Sequence, residues 1–301
     1  MNTTGSPVID ASPVSDEAAR AIELAEMRAW AEMYAAAPPD FAERAGIGTR
    51  MVGGALVTRW GATGRRYFSR AIGLGVVEPA TEAVVDEIIA GYDRAGVDMF
   101  LLQSLPHCRP VEYEGWLRDR GLEPFDAQDR VVRGGEPLDP AVAAGLADPD
   151  LVIERVTRET AEEWSDFLQR VYRLDTGQWL PLLVGRPRWH EYIGRRDGEI
   201  VVARGMYIGP DGMAWLGMDG PVPGLMTSDY GPDAAICTAI VEDGLANGAT
   251  AFLADIEAPS PDMDTPAYDY FPRLGFTRPY VRTHWALSRT LTPALSAAMR
   301  R

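Results

Sequence analysis

The sequence is poor in cysteine, in basic residues, in histidine and in long apolar runs. Its 301 residues include two cysteines, Cys108 and Cys237, each in an apolar segment, so we expect packing residues rather than a disulfide framework. No stretch approaches the ~20 apolar residues of a membrane span, and residues 1–6 lack the basic and apolar runs of a signal peptide. These absences favour a soluble, cytoplasmic protein.

Basic residues are outnumbered: 29 Lys and Arg stand against 44 Asp and Glu, which gives a formal charge of −15. Nucleic acid and anionic lipid are bound by clustered Lys and Arg, so neither is expected as a partner. A surplus of carboxylates suits a small-molecule substrate that is a cationic amine. The same surplus is also explained if the carboxylates only keep the protein soluble. The sequence leaves both interpretations open, and it does not decide whether the chain forms a homodimer.

Histidine is scarce, and the usual motifs of metal and nucleophile chemistry are missing. The three histidines, His107, His190 and His284, have no partner at metal-ligand spacing. No Gly-x-Ser-x-Gly or Gly-x-x-x-x-Gly-Lys sequence occurs. The acidic residues that follow Asp255 do not have the spacing of a calcium loop. We therefore predict no metal site, no hydrolase elbow and no P-loop.

The sequence does contain an alternation of helix and strand patterns long enough for two domains. Behind Ser15, a good N-cap, apolar residues recur at steps of three and four to about Ala35, which predicts a helix. The turn Gly209–Gly212 predicts a hairpin between strands 199–208 and 213–221. Further helices are predicted at 81–95, 111–120, 159–171, 233–247 and 267–274, and further strands at 51–59, 67–76, 97–103, 131–132, 151–156, 250–256 and 280–287.

Two segments of the first half recur in the second half in the same order. A cap glycine precedes a Phe-Leu pair by four residues at Gly96 and again at Gly248. An aromatic residue precedes a Gly-apolar pair by five residues at Trp116 and again at Tyr270. Together the two echoes predict an internal duplication of a helix-strand-helix-strand unit.

The element order of the second half resembles the GNAT acyltransferase superfamily, with residues 195–202, 231–249, 266–276 and 280–285 carrying the resemblance. The first half resembles the N-terminal repeat of tandem GNAT proteins through residues 68–70, 73–76, 79–81 and 116–117. The resemblance implies an α/β fold with a mixed sheet, built as two tandem GNAT-like domains, each a mostly antiparallel sheet flanked by helices. The expected division is a flexible tail at 1–14, a first domain at 15–135, a linker at 136–150, a second domain at 151–287 and a tail at 288–301.

The resemblance implies an acyl-CoA-dependent N-acyltransferase that moves an acetyl group to a small amine by direct attack, with acetyl-CoA or another acyl-CoA as cofactor. In that family the start of the central helix holds the pyrophosphate on its backbone N–H groups, because these groups and the helix dipole attract anions. The matching residues are Gly231, Asp233 and Ala234, and Phe271 falls in the wall beside the thioester.

Candidates for proton transfer lie at the ends of the central strands. Asp219, Asp255 and Glu257 are candidates for the base, and Asp255 and Glu257 share one face of a strand because they are two residues apart. Tyr270 is the candidate acid next to Phe271, the position at which the family often has a tyrosine. Trp179, Trp189 and Tyr192 fall in the connection that lines the acceptor pocket of GNAT domains, which makes them candidates for substrate binding.

The sequence also departs from the family pattern. Ser228 stands where a basic residue is usual, Asp229 and Asp233 place carboxylates where a pyrophosphate would approach, and Phe271 has no proton to give. Three hypotheses follow. The first is the acyl-CoA-dependent acyltransferase, and the second is a GNAT-fold protein that has lost CoA binding and acts as a CoA-independent enzyme or a small-molecule binder. The third is a protein with a scaffold or partner-binding role alone.

Overall fold

A computed structural model describes residues 9–220, 231–257 and 267–291. The helices of the described residues are α1 (Asp16–Ala35), α2 (Pro39–Ala45), α3 (Glu82–Arg94), α4 (Tyr113–Asp119), α5 (Pro140–Leu146), α6 (Ala161–Tyr172), α7 (Gly231–Ala246) and α8 (Ala267–Tyr270). The strands are β1 (Ile47–Val52), β2 (Ala55–Trp60), β3 (Arg70–Ile72), β4 (Leu101–Ser104), β5 (Leu122–Gly134), β6 (Val152–Arg155), β7 (Trp189–Arg196), β8 (Glu199–Ile208), β9 (Met213–Gly220), β10 (Ala251–Glu257) and β11 (Thr277–Leu287).

Local signals account for several of these elements. The Ser15 hydroxyl accepts a hydrogen bond from the Ala18 N–H at the start of α1, and the Thr81 hydroxyl accepts one from Val84 at the start of α3. The hairpin of β8 and β9 turns at the predicted residues. These predictions are confirmed.

Several segments differ from their predictions. The strand predicted at 67–76 is the shorter β3, and the strand predicted at 131–132 is the end of the longer β5. The strand predicted at 51–59 is a hairpin of β1 and β2, because Gly53 and Gly54 have φ of 51° and 74° and reverse the chain. The connection expected around Trp189 is a strand, β7, which pairs with β6 and β8. Residues 136–150, expected as a linker, contain α5, whose Leu146 packs into the core beneath α7.

The N-terminal segment is partly paired. Of the tail expected at 1–14, residues 1–8 lie outside the described residues, while Ile9 is buried and the main chain of Asp10 and Ser12 bonds to that of Arg278. Ser228 and Asp229 also lie outside the described residues, as do residues 292–301 of the expected C-terminal tail.

The described strands form one mixed sheet in the order β1-β2-β3-β4-β11-β5-β10-β9-β8-β7-β6. β11, which belongs to the second half of the chain, lies between β4 and β5 of the first half. In turn β5 lies between β11 and β10 of the second half. Side chains from both halves therefore meet in the middle of the sheet, on the four strands β4, β11, β5 and β10.

A cleft opens where β9 and β10 separate. The two strands are parallel and pair from Ala251 and Met213 to Leu253 and Trp215. Beyond that point β10 continues beside β5 as far as Glu257, while β9 continues beside β8 as far as Gly220. The divergence leaves a gap between the carboxyl ends of two parallel strands, the place where open α/β sheets tend to bind ligands.

Helices cover both faces of the sheet beside this cleft. Phe252, Ala254 and Ile256 of β10 pack in one core with α7, whereas Leu253 packs in the other core with α1. Asp255 and Glu257 follow Leu253 at steps of two and so lie on the α1 face, as predicted. None of the described helices is both long enough and apolar enough to span a membrane.

Candidate functional site

Four polar side chains meet at the first turn of α7, and we call them the α7 cluster: Arg204, Asp219, Asp233 and Tyr270. Arg204 lies on β8 and its Nη2 donates to Asp233 Oδ1 at 2.8 Å. The same nitrogen is 3.7 Å from Asp219 Oδ2. The Tyr270 hydroxyl donates to the second oxygen of Asp233. The cluster thus brings together three of the predicted site residues and one residue, Arg204, that was not predicted.

Charge balance explains why Arg204 is tolerated in a strand that is otherwise apolar. A buried cation is stable only when it is paired and hydrogen-bonded, and here two carboxylates serve it. Burial, followed by the nearby charge of Asp233, raises the pKa of Tyr270 well above its usual range. Tyr270 is therefore a stable hydrogen-bond donor to Asp233 and a poor proton source near neutral pH.

The first turn of α7 carries a carboxylate that already has partners in the chain. Asp233 lies in the first turn, where unpaired N–H groups and the helix dipole favour negative charge. A pyrophosphate at this position would meet that carboxylate, and Arg204 is already paired with it. The described residues at the start of α7 therefore do not fit the pyrophosphate of CoA.

A cavity of about 260 Å³ lies beside the α7 cluster, between α5, α7 and α8. Gly231, Ala234 and Tyr270 contribute to its lining, as do Asp269 and Arg273, whose charges are opposite. Arg273 also donates to the carbonyl oxygen of Gly145 at 3.2 Å. Gly231 and Ala234, which were predicted to bind the cofactor, thus line a cavity at the start of α7. The two described charged side chains of that cavity, Asp269 and Arg273, have opposite charges.

Phe271 is fully buried in the wall next to this cavity. Its ring packs on those of Tyr270 and Phe276, with centroids 5.0 and 4.8 Å apart. The Arg204 guanidinium lies 6.0 Å from the centre of the same ring. Phe271 therefore supports the α7 cluster by packing.

Asp255 belongs to a different group, which we call the central ion network: Glu23, Glu26, Arg70, Arg130, Asp255 and Arg282. Arg282 pairs with Glu23 at 2.9 Å, with Glu26 at 2.7 Å and with Asp255 at 3.4 Å. Arg130 pairs with Glu26 and lies 3.3 Å from Asp255, and Arg70 pairs with Glu26 at 2.7 Å. Burial raises the pKa of Asp255 to about 7, and the charge of Arg130 opposes this shift. Asp255 therefore belongs to a set of ion pairs that hold α1 against the central strands.

Glu257 lies at the end of β10, past the point where β9 and β10 separate. It is half-buried, and it has no ion pair among those found in the described residues. Burial, and then the charge of Asp126, raises the pKa of Glu257. Of the three predicted bases, Glu257 has access to the cleft and no cationic partner within the described ranges, whereas Asp219 faces Arg204 and Asp255 faces Arg130 and Arg282.

The predicted aromatic substrate residues lie apart from one another in the core. The Trp179 indole donates to the Met33 carbonyl at 2.7 Å and packs on Tyr34 and Trp60. Trp189 packs on Tyr207 and Trp215 in the same core. Tyr192 lies in the core beneath α7, where its hydroxyl donates to Asp243. Neither tryptophan nor Tyr192 lines the cavity beside α7.

No metal site is found within the ranges that the structure describes. In those ranges, no three or more His, Cys, Asp or Glu side chains are grouped so that they could hold a metal ion. The carboxylates of the α7 cluster and of the central ion network are paired with arginines instead.

Comparison with solved structures finds similar architectures over most of the chain. A GCN5-related N-acetyltransferase from Kribbella flavida aligns with a TM-score of 0.58 at 15% identity, over 91% of this chain and 96% of its own. A tandem GNAT protein from the clavulanic acid biosynthesis pathway aligns with a TM-score of 0.54 at 14% identity, over 78% of each chain. A GCN5-related N-acetyltransferase from Sphaerobacter thermophilus gives 0.52 at 13% identity, over 77% and 80%.

The chain has the GNAT fold. The similarity lies in structure rather than in sequence, since no family model and no curated protein matches the sequence. Within this GNAT fold the cleft between β9 and β10 is bordered on the α7 face by Arg204 and Asp219 and on the α1 face by Glu257. The two borders carry different chemistry: a paired cation on one side and, on the other, a half-buried carboxylate that forms no ion pair with the residues described.

Proposed function

We propose that the protein transfers an acyl group to the amino group of a small molecule in the cleft between β9 and β10. The observation that carries the proposal is the position of Glu257 at the point where the two parallel strands diverge. It is a half-buried carboxylate for which the described part of the chain supplies no cationic partner. The named acetyltransferases of the same fold support acyl transfer as the reaction class. The proposal treats residues 15–135 and 151–287 as tandem GNAT-like units. Each unit places one strand among the strands of the other: β11 lies beside β4, and β5 lies beside β10.

The reaction follows from the position of Glu257. The amine nitrogen attacks the carbonyl carbon of an acyl thioester, so a nitrogen–carbon bond forms and the carbon–sulfur bond breaks. Glu257 accepts the proton that the nitrogen loses, and the departing thiolate takes a proton from water. A carboxylate with a raised pKa suits this task, because a base works best when its pKa lies near the working pH.

The acyl donor is a thioester that is not held through a pyrophosphate at α7. Asp233 supports this part of the proposal, because its carboxylate lies in the first turn of α7 and is paired with Arg204. Acetyl-CoA, the donor expected from the family resemblance, is the competing choice. The two choices differ in whether the nucleotide end of the donor contributes to binding.

Removal of the Asp233 carboxylate is expected to create affinity for acetyl-CoA. In the Asp233→Ser variant, Arg204 and the first N–H groups of α7 become available to a phosphate, and a repulsion of about 4 kcal/mol near a protein surface disappears. We expect the dissociation constant, measured by isothermal titration, to fall at least about tenfold. Glu242→Ser, which removes an exposed carboxylate near the other end of α7, is the matched control. Equal affinities of wild type and Asp233→Ser would contradict the assignment.

The function itself is tested with S-acetylpantetheine, a thioester without phosphate, and a panel of small primary amines. Mass spectrometry of the reaction mixtures should show an N-acetylated amine that is absent when the protein is omitted. If no amine in the panel is acetylated with either S-acetylpantetheine or acetyl-CoA, acyl transfer is wrong, and the remaining hypothesis is a protein that binds small molecules.

A further inference from the structure

A second group of polar side chains lies on the middle strands, and we call it the Asp126 cluster: Tyr67, Gln103, Asp126 and His284. His284 Nδ1 lies 2.6 Å from Asp126 Oδ1, and the Tyr67 hydroxyl donates to Asp126 Oδ2. On the other side of the ring, Gln103 Nε2 lies 3.0 Å from His284 Nε2. A neutral His284 with its proton on Nδ1 satisfies both contacts, because Nδ1 then donates to Asp126 and Nε2 accepts from Gln103.

Strand register places Asp126 close to Glu257. Glu257 is opposite Gln128 in the pairing of β10 with β5, and His284 is opposite Asp126 in the pairing of β11 with β5. Asp126 and Gln128 are two residues apart and so point to the same face of the sheet. The charge of Asp126 is near enough to act on Glu257. Asp126, Gln128 and Glu257 thus form a row across two neighbouring strands.

Asp126 is one of two members of its cluster that have access to solvent. Its side chain is 21% exposed and Tyr67 is partly exposed, whereas His284 is completely buried. Tyr67 and His284 bind one carboxylate oxygen each, which fixes the orientation of Asp126. His284 and Tyr67 therefore act as positioning residues, and Asp126 is the group that can touch a ligand.

The row contains an acceptor that lacks a donor. Among the described residues, Gln128 Oε1 is buried without a hydrogen-bond partner. A buried acceptor without a donor costs about 1 to 3 kcal/mol, so such groups usually face a ligand or water. With the carboxylates of Asp126 and Glu257, the row offers hydrogen-bond acceptors and two negative charges.

We propose that Asp126, Gln128 and Glu257 bind the ammonium group of a primary amine, the acceptor of the acyl group. This inference rests on the proposed function and names the substrate class of the same site. A primary ammonium carries three N–H donors and one positive charge, which matches three acceptor side chains, two of them carboxylates. Glu257 removes the proton that frees the nitrogen lone pair, while Asp126 keeps the nitrogen in place.

Both halves of the chain are needed for this site. Asp126 and Gln128 lie on β5 of the first half, and Glu257 lies on β10 of the second half. His284, which orients Asp126, lies on β11, again from the second half. The exchange of β5 and β11 is what brings these groups together.

The binding test uses three probes with the same alkyl chain: n-butylammonium, n-butanol and n-butyrate. Isothermal titration of the full chain should detect binding of n-butylammonium and neither of the others. Asp126→Asn and Glu257→Gln should each weaken that binding at least about tenfold. Glu123→Gln, which removes an exposed carboxylate from the same strand β5, should leave it unchanged. Equal binding of the three probes, or an unchanged affinity in Asp126→Asn, would overturn the proposal.

A second pair of variants tests the role of His284. Asparagine retains an N–H close to the position of Nδ1, whereas alanine does not. We expect His284→Ala to weaken n-butylammonium binding about as much as Asp126→Asn does, and His284→Asn to restore most of the affinity. Equal losses in both folded variants, or no loss in either, would contradict the positioning role. Circular dichroism confirms folding before each titration.

The outcomes separate this proposal from the proposed function. Specific n-butylammonium binding that is lost in Asp126→Asn supports the ammonium site even if no acyl transfer is found. Acyl transfer with unchanged amine affinity and unchanged KM in Asp126→Asn overturns the ammonium site and leaves the proposed function intact.

Discussion

Replacement of Arg130 by methionine is expected to lower the free energy of unfolding by about 3 to 5 kcal/mol. Arg130 lies in the central ion network, where three arginines and three carboxylates balance each other in a buried space beneath α1. Its side chain, like those of Glu23, Glu26 and Arg282, is completely buried. Loss of one cation leaves an uncompensated carboxylate in the interior, which is far more costly than the loss of an exposed pair.

Urea denaturation followed by circular dichroism measures this change. Arg289→Met is the matched control, since Arg289 forms an exposed pair with Asp98, and we expect it to cost less than about 1 kcal/mol. The double variant Arg130→Met with Glu26→Met removes one charge of each sign and should be more stable than Arg130→Met alone. A single-variant loss below about 1 kcal/mol, or a double variant whose loss equals the sum of the two single losses, would contradict the role given to the network.

Substitution of Glu257 by glutamine is expected to lower kcat/KM for acyl transfer by about 10²- to 10⁴-fold. The change keeps the size and polarity of the side chain but removes the group that accepts the proton. Wild-type activity should rise with pH through the pKa of Glu257, which burial and Asp126 hold above the ordinary value of a glutamate. Besides Asp126, the charged groups on this face are those of the central ion network. Its arginines on β3, β5 and β11 are paired with Asp255 on β10 and with the two glutamates of α1.

The pH dependence distinguishes a base from a residue with a structural role. In Glu257→Gln the acidic limb of the rate profile should disappear, whereas in Glu123→Gln it should be the same as in wild type. Stopped assays with S-acetylpantetheine between pH 5 and pH 9 measure both profiles. A Glu257→Gln variant that retains more than about a tenth of the wild-type kcat/KM would show that another group takes the proton.

The sequence predicts the parts of this fold that depend on neighbouring residues. Ser15 and Thr81 indicate the starts of their helices because a cap acts within three residues. The sequence does not predict the strand around Trp189, because the preceding segment is rich in proline and indicates a loop. The strand forms because β7 pairs with β6 and β8, and this pairing outweighs the local sequence preference.

The exchange of β5 and β11 depends on contacts between distant parts of the chain, and no local pattern predicts it. Asp126 and His284 bond across 158 positions, so neither residue appears as a candidate when the sequence is read in segments. Arg204 could have been found, because an arginine inside a run of apolar strand residues requires buried carboxylates. The same reasoning applies to Arg130 and Arg282, whose partners lie on α1.

The start of α7 differs in one respect from what the sequence predicts. Asp233 was predicted there as a cofactor-binding residue, and the structure pairs its carboxylate with Arg204 and Tyr270. Helix-terminal N–H groups attract any anion, whether a ligand phosphate or a side chain of the same protein. In this chain a carboxylate already lies in the first turn of α7, so a ligand phosphate there would meet a negative charge.

The central claim is that the donor is bound without a pyrophosphate anchor at α7. The most direct measurement compares kcat/KM of the wild-type protein for acetyl-CoA and for S-acetylpantetheine with the same amine. Without the anchor the nucleotide end adds no binding energy, so the two values should agree within about threefold. A preference for acetyl-CoA of about a hundredfold or more would contradict the claim.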